Sequence, residues 1–115
     1  MLTIYHNPRC SKSRQTLEIV QQQSLDITVV EYLKQPPSTA ELMVLLTKLG
    51  MTARQLLRTG EQEYKDLLLN KPDVSDEELI TAMCQHPKLI ERPIIVRGDR
   101  AVIGRPPERV LELLA

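Results

Sequence analysis

Apolar and polar positions alternate over Leu2-Thr3-Ile4-Tyr5 and the run stops at Asn7-Pro8, which predicts a short strand feeding a loop. From Ser11 the period lengthens. Leu17, Val20 and, less regularly, Ile19 stand among Lys12, Arg14, Gln15, Glu18, Gln21 and Gln22, the stripe of an amphipathic helix of about three turns whose first turn holds Cys10. Residues 26–32 are β-branched and alternating, a second strand that Gln35-Pro36-Pro37 ends. Ser38-Thr39-Ala40-Glu41 spells a capping box, and Leu42, Leu45, Leu46 and Leu49 recur at helical spacing up to a stop at Gly50. Thr52-Ala53-Arg54-Gln55 and Ser75-Asp76-Glu77-Glu78 repeat the cap signature, so the middle of the chain is expected to be helical.

Ile94-Ile95-Val96 and Ala101-Val102-Ile103 read as two strands joined by a two-residue turn at Gly98-Asp99, and Pro106 opens a last helix with Val110, Leu111 and Leu114 on its buried face. A helix between the first two strands implies a parallel crossover, and the tight turn forces an antiparallel pair. The expected fold is therefore α/β, with a four-stranded mixed sheet and a helical insertion over about residues 38–90.

Composition narrows the function. At 115 residues with 42% hydrophobic content, residues 1–115 are expected to form one domain with a single core. Fifteen Lys and Arg balance fifteen Asp and Glu, and aromatic residues make up 3%, so the chain lacks the charge and stacking groups of a nucleic-acid binder. The longest apolar run, Leu42 to Leu46, falls far short of the roughly 20 residues that cross a bilayer. The N-terminal residues lack a secretory pattern, which predicts a cytoplasmic protein whose two cysteines stay reduced. The many carboxylates of residues 61–78 read as solvated helix faces.

Cys10 draws attention through its neighbours: His6, Arg9, Lys12 and Arg14 lie within four residues, and no acidic residue precedes Glu18. A nucleophilic cysteine needs its pKa brought down from about 8.5, which helix N-termini and nearby cations achieve. Two units of lowering require about 2.7 kcal/mol. A helix terminus typically supplies about 0.3 to 1 kcal/mol, whereas one cation at about 5 Å supplies roughly 3 kcal/mol at an effective dielectric constant of 20. The dipole alone is thus not expected to suffice. The bland alternative is a small buried hydrophobe, the usual fate of free cysteine, and the basic turn argues against it.

Arg58, Arg92 and Arg105 each stand at the end of an apolar segment, just before a break. Guanidinium groups hold tetrahedral oxyanions through paired N–H donors, although each arginine taken singly reads better as a surface residue than as a ligand, and only their shared position at element ends raises the case. Cys84 falls beside Ile80 and Met83 and reads as a buried thiol. Cys10, His6, Cys84 and His86 do not make a usual zinc pattern, so no metal site is expected. Arg97-Gly98-Asp99 is explained by hairpin chemistry alone.

Ile4-Tyr5-His6-Asn7-Pro8-Arg9-Cys10-Ser11-Lys12-Ser13-Arg14, Leu57-Arg58-Thr59 with Glu61 and Tyr64-Lys65, and His86-Pro87-Lys88-Leu89-Ile90-Glu91-Arg92-Pro93-Ile94 resemble the glutaredoxin-linked arsenate reductase family, and residues 103–114 continue the match. The resemblance implies a thioredoxin-like fold and a cis Arg92-Pro93 bond beside the thiol. It implies Cys10 as nucleophile, with Arg58, Arg92 and Arg105 binding the oxyanion and His6 and Ser13 supporting the thiolate. It also implies arsenate as substrate, no bound cofactor, and glutathione and glutaredoxin as external reductants. The need for external thiol agrees with Ser13, which stands three after Cys10 where a resolving cysteine would be. Ser11 and Lys12 depart from the small or neutral residues commonest in the family and alter the anion loop.

Two other readings use the same resemblance. Spx-type regulators share the fold and bind RNA polymerase, many through a Cys-x-x-Cys switch that Ser13 argues against. A general glutathione-dependent thiol reductase would turn over small disulfides without responding to arsenate.

Overall fold

The computed structural model describes residues 2–23 and 26–114. The chain divides into two compact units, Met1–Gln35 with Arg92–Ala115, and Pro36–Glu91.

In the first unit, β1 (Leu2–His6) runs into α1 (Ser11–Gln21) and returns as β2 (Ile27–Glu31). β1 and β2 pair in parallel with Leu2 opposite Ile27 and Ile4 opposite Val29, as the intervening helix requires. β3 (Ile94–Arg97) and β4 (Arg100–Ile103) form the hairpin, closed at Gly98, whose φ of 64° suits glycine. β3 also pairs antiparallel with β1, giving the order β2-β1-β3-β4, a mixed four-stranded sheet in a thioredoxin-like α/β fold. Period-2 alternation sends Leu2, Ile4, Ile95 and Val102 to one face, where they form a core with Val20 of α1 and with Val110 and Leu113.

Two elements depart from their sequence pattern. The buried residues of α1 are Ser13, Thr16 and Val20, with Leu17 and Ile19 only half-buried. Two hydroxyls thus occupy the inward face, because each has a hydrogen-bond partner there. The last helix does not begin as α-helix: residues Pro107–Val110 form a 3-10 turn before α6 (Leu111–Leu114). At three residues per turn the inward line is Pro107, Val110 and Leu113, which leaves Leu111 47% exposed instead of buried.

In the second unit, α2 (Thr39–Leu49), α3 (Ala53–Leu56), α4 (Gln62–Asp66) and α5 (Asp76–Gln85) follow one another. Capping boxes at Ser38, Thr52 and Ser75 are all formed, and Gly50 closes α2 in the left-handed conformation. Leu42, Leu45, Leu56, Leu79 and Met83 are buried. Backbone bonds from Arg58 N–H to Leu89 C=O (2.7 Å) and from Glu91 N–H to Leu56 C=O (3.0 Å) flank a bridge between Leu57 and Ile90. No helix among the described residues is long and apolar enough to cross a membrane.

Candidate active site

The turn between β1 and α1 is built around Asn7. Its carbonyl accepts the Cys10 N–H at 3.0 Å, its Oδ1 accepts the Arg9 N–H at 3.0 Å, and its own N–H donates to Ser13 Oγ at 3.0 Å. Arg14 Nη1 adds a bond to the Pro8 carbonyl at 2.9 Å. The first two bonds close the turn on itself and the last two tie it to the first turn of α1, so the loop is fixed by local contacts.

Cys10 is the N-cap of α1, one residue before the first turn, with extended backbone (φ −95°, ψ 122°). Its carbonyl accepts the Arg14 N–H at 3.0 Å. Burial by itself pushes the thiol up. The Ser13 N–H, the Arg92 guanidinium through hydrogen bonding and charge, and the Lys12 N–H together outweigh burial and hold Cys10 below the ordinary cysteine value. Arg105 reaches the sulfur too, Nη2 donating to Sγ at 3.4 Å. The same guanidinium is anchored by Nε donating to the Arg92 carbonyl at 2.7 Å. Both Arg92-Pro93 and Arg105-Pro106 are cis. Pro93 is buried, and its carbonyl accepts the Gly104 N–H at 2.9 Å.

Ser13 is fully buried and acts in two ways. Its backbone N–H favours the thiolate. Its hydroxyl lies 2.7 Å from His6 Nδ1 while accepting from Asn7. The Ser13 hydroxyl thus joins the Asn7 backbone to the His6 ring. Burial lowers the pKa of His6, Glu31 opposes it, and Arg14 lowers it further. His6 therefore reaches the Cys10 loop through the Ser13 hydroxyl.

Arg58 stands in the helical unit with its guanidinium engaged by carboxylates, Nη1 with Glu91 Oε1 at 2.6 Å and Nε with Glu61 Oε2 at 3.3 Å. Cys84 is half-buried, not a core thiol as the sequence reading has it. The buried line of α5 runs through Leu79, Ile80, Ala82 and Met83, and residue 84 turns out of it by about 100°. Burial, then the Glu41 carboxylate, push its thiol above the ordinary value, the opposite of Cys10.

Three residues that shape the site escape sequence reading. Asn7 reads there only as half of a turn signal, although an Asn whose side chain bonds the backbone two residues on is a known turn device. Thr16 looks like a polar residue on a helix, yet its Oγ1 donates to the Lys12 carbonyl at 2.8 Å and it is fully buried. Gly104 precedes Arg105-Pro106-Pro107, where a glycine is easily passed over as loop.

A family model described as the ArsC family matches residues 5–113. The chain is 52% identical to the uncharacterized protein YfgD of Escherichia coli (strain K12) over 96% of its own length and 94% of that protein. It is 47% identical to an arsenate reductase of Haemophilus influenzae, covering 96% of this chain and 97% of the relative. Its structure matches that of an arsenate reductase from Vibrio cholerae with a TM-score of 0.94 at 48% identity, covering 96% and 95% of the two chains.

Proposed function

The chain belongs to the ArsC family, and from that premise we propose that it reduces arsenate to arsenite, with Cys10 as the nucleophile. The observation that carries the reading is a thiol held below its ordinary pKa at a helix N-cap, with the Arg105 guanidinium on its sulfur and the Arg92 guanidinium favouring its charge. A group that stabilises a thiolate before reaction suits a tetrahedral oxyanion during it, since both present negative charge to the same donors.

Cys10 thiolate attacks As(V) and an arsenate oxygen, protonated, leaves as water. Glutathione thiolate then adds to the arsenic. Arsenic accepts two electrons and departs as arsenite while Cys10 and glutathione are joined in a mixed disulfide. The thiol of glutaredoxin takes over the glutathione half and frees Cys10. Arg92 and Arg105 bind the oxyanion and the adduct, and Arg58 joins them in this reading on its family motif alone. Ser13 and His6 keep the loop in shape, and Pro93 borders it. The external reductants and a cytoplasmic setting belong to the same proposal. Support for external thiol lies in Ser13 at the position where a resolving cysteine would stand.

The test is arsenate-dependent NADPH oxidation in an assay coupled to glutathione, glutaredoxin and glutathione reductase. Cys10→Ser is expected to abolish turnover, and Arg92→Ala, Arg105→Ala and Arg58→Ala to raise the KM for arsenate about tenfold or more, the scale of a lost charged hydrogen bond of roughly 1.5–3 kcal/mol. Equal rates for wild type and Cys10→Ser remove Cys10 from the mechanism.

A further inference from the structure

Gly104 is buried between two fixed neighbours. A Cβ built on it would lie 2.6 Å from Thr16 Oγ1, 3.1 Å from Thr16 Cγ2 and 2.8 Å from Pro93 Cγ. Its φ lies outside the left-handed region, unlike those of Gly50 and Gly98. What this position requires is room, not backbone freedom.

Neither neighbour yields easily. Thr16 is fully buried, and rotating its side chain breaks the bond from Oγ1 to the Lys12 carbonyl. That carbonyl belongs to the same residue whose N–H favours the Cys10 thiolate. Pro93 is a ring in a buried loop, and it is tied to Gly104 itself by the 2.9 Å backbone bond. The next residue is Arg105, whose Nη2 stands 3.4 Å from Cys10 Sγ.

We infer that Gly104 is a positioning residue: its missing side chain lets α1 and the Pro93 loop close on the end of β4, and this close approach sets the reach of Arg105 to the Cys10 sulfur. The inference rests on reading Cys10 as the reacting thiol. Relieving the Thr16 contact from 2.6 Å to the 3.4 Å of ordinary packing displaces one side by about 0.8 Å. The same displacement along the Nη2···Sγ line would lengthen the 3.4 Å contact past hydrogen-bonding distance. A methyl at position 104 is thus expected to weaken the hold of the guanidinium on the sulfur.

The experiment follows iodoacetamide labelling of residue 10 against pH by peptide mass spectrometry, with folding checked by circular dichroism. In Gly104→Ala and in Arg105→Ala alike the labelling midpoint is expected to rise by about one unit, because a charge-assisted bond to the thiolate is lost in both. Thr16→Ala together with Gly104→Ala removes the nearer obstacle and should bring the midpoint at least halfway back. A purely structural role would lower thermal stability without moving the midpoint. A folded Gly104→Ala protein with the wild-type midpoint overturns the inference, as does a double variant whose midpoint matches that of Arg105→Ala. Should Gly104→Ala fail to fold, the double variant decides: its Cβ still lies 2.8 Å from Pro93 Cγ, so a midpoint between those of the wild type and Arg105→Ala supports the inference and a midpoint equal to either overturns it. None of these measurements uses arsenate, so a wild-type protein inactive on arsenate would defeat the proposed function while leaving this test intact.

Discussion

Ser13 combines two functions that substitution can separate. Its hydroxyl serves Asn7 and His6, while its backbone N–H serves the Cys10 sulfur. Ser13→Ala leaves a buried N–H of Asn7 without its acceptor, which costs about 1–3 kcal/mol. Urea unfolding should register that loss, whereas the Cys10 labelling midpoint should stay below an ordinary thiol's because the N–H at position 13 remains. A midpoint that climbs as far as in Arg92→Ala would mean that the hydroxyl itself holds the charge. At this scale Cys10 was legible because its signal is local: cations crowd the sequence around it. The cations that act on the sulfur are nevertheless distant in sequence, Arg92 and Arg105, and the adjacent Arg14 is turned to the Pro8 carbonyl.

Elements follow from signals a few residues long wherever a cap or turn is explicit. Ser38 and Ser75 each accept from the N–H three residues on and are answered by Glu41 and Glu78. Ser38→Ala and Ser75→Ala are expected to lower stability by about 1 kcal/mol each, and Gly at either position by a few tenths. Denaturant midpoints of the four variants check this, and equal losses for Ala and Gly would assign the effect to something other than capping. The C-terminal segment shows the limit of periodicity. A 3.6-residue period puts Leu111 inward, whereas the 3-10 opening after Pro106 selects Leu113. Composition does not announce which period a short helix adopts.

Over the whole molecule, stability is linked to pH through His6. Its folded pKa lies below the ordinary value, with burial the foremost cause. On acidification the unfolded chain takes up a proton near pH 6.5 that the folded chain does not yet bind. Stability is therefore lost as pH falls from about 6.5 toward the folded value, by at most about 1.4 kcal/mol per pH unit for one proton, and the loss levels off below it. Urea midpoints from pH 7.5 to 5.5 should fall in the wild type and flatten in His6→Gln, and an unchanged slope in that variant would assign the linkage elsewhere. The sequence by itself determined the α/β element order, the mixed sheet, the helical middle and the identity of the candidate thiol, because period, caps and turns act over a few residues. The tertiary structure alone decided which cations meet the sulfur, that the Ser13 hydroxyl serves His6 and Asn7, and that Gly104 must be small. Those depend on segments some ninety positions apart in the chain being packed within a few ångströms, as Arg105 is on Cys10, and pairwise distances of that kind leave no trace in local pattern.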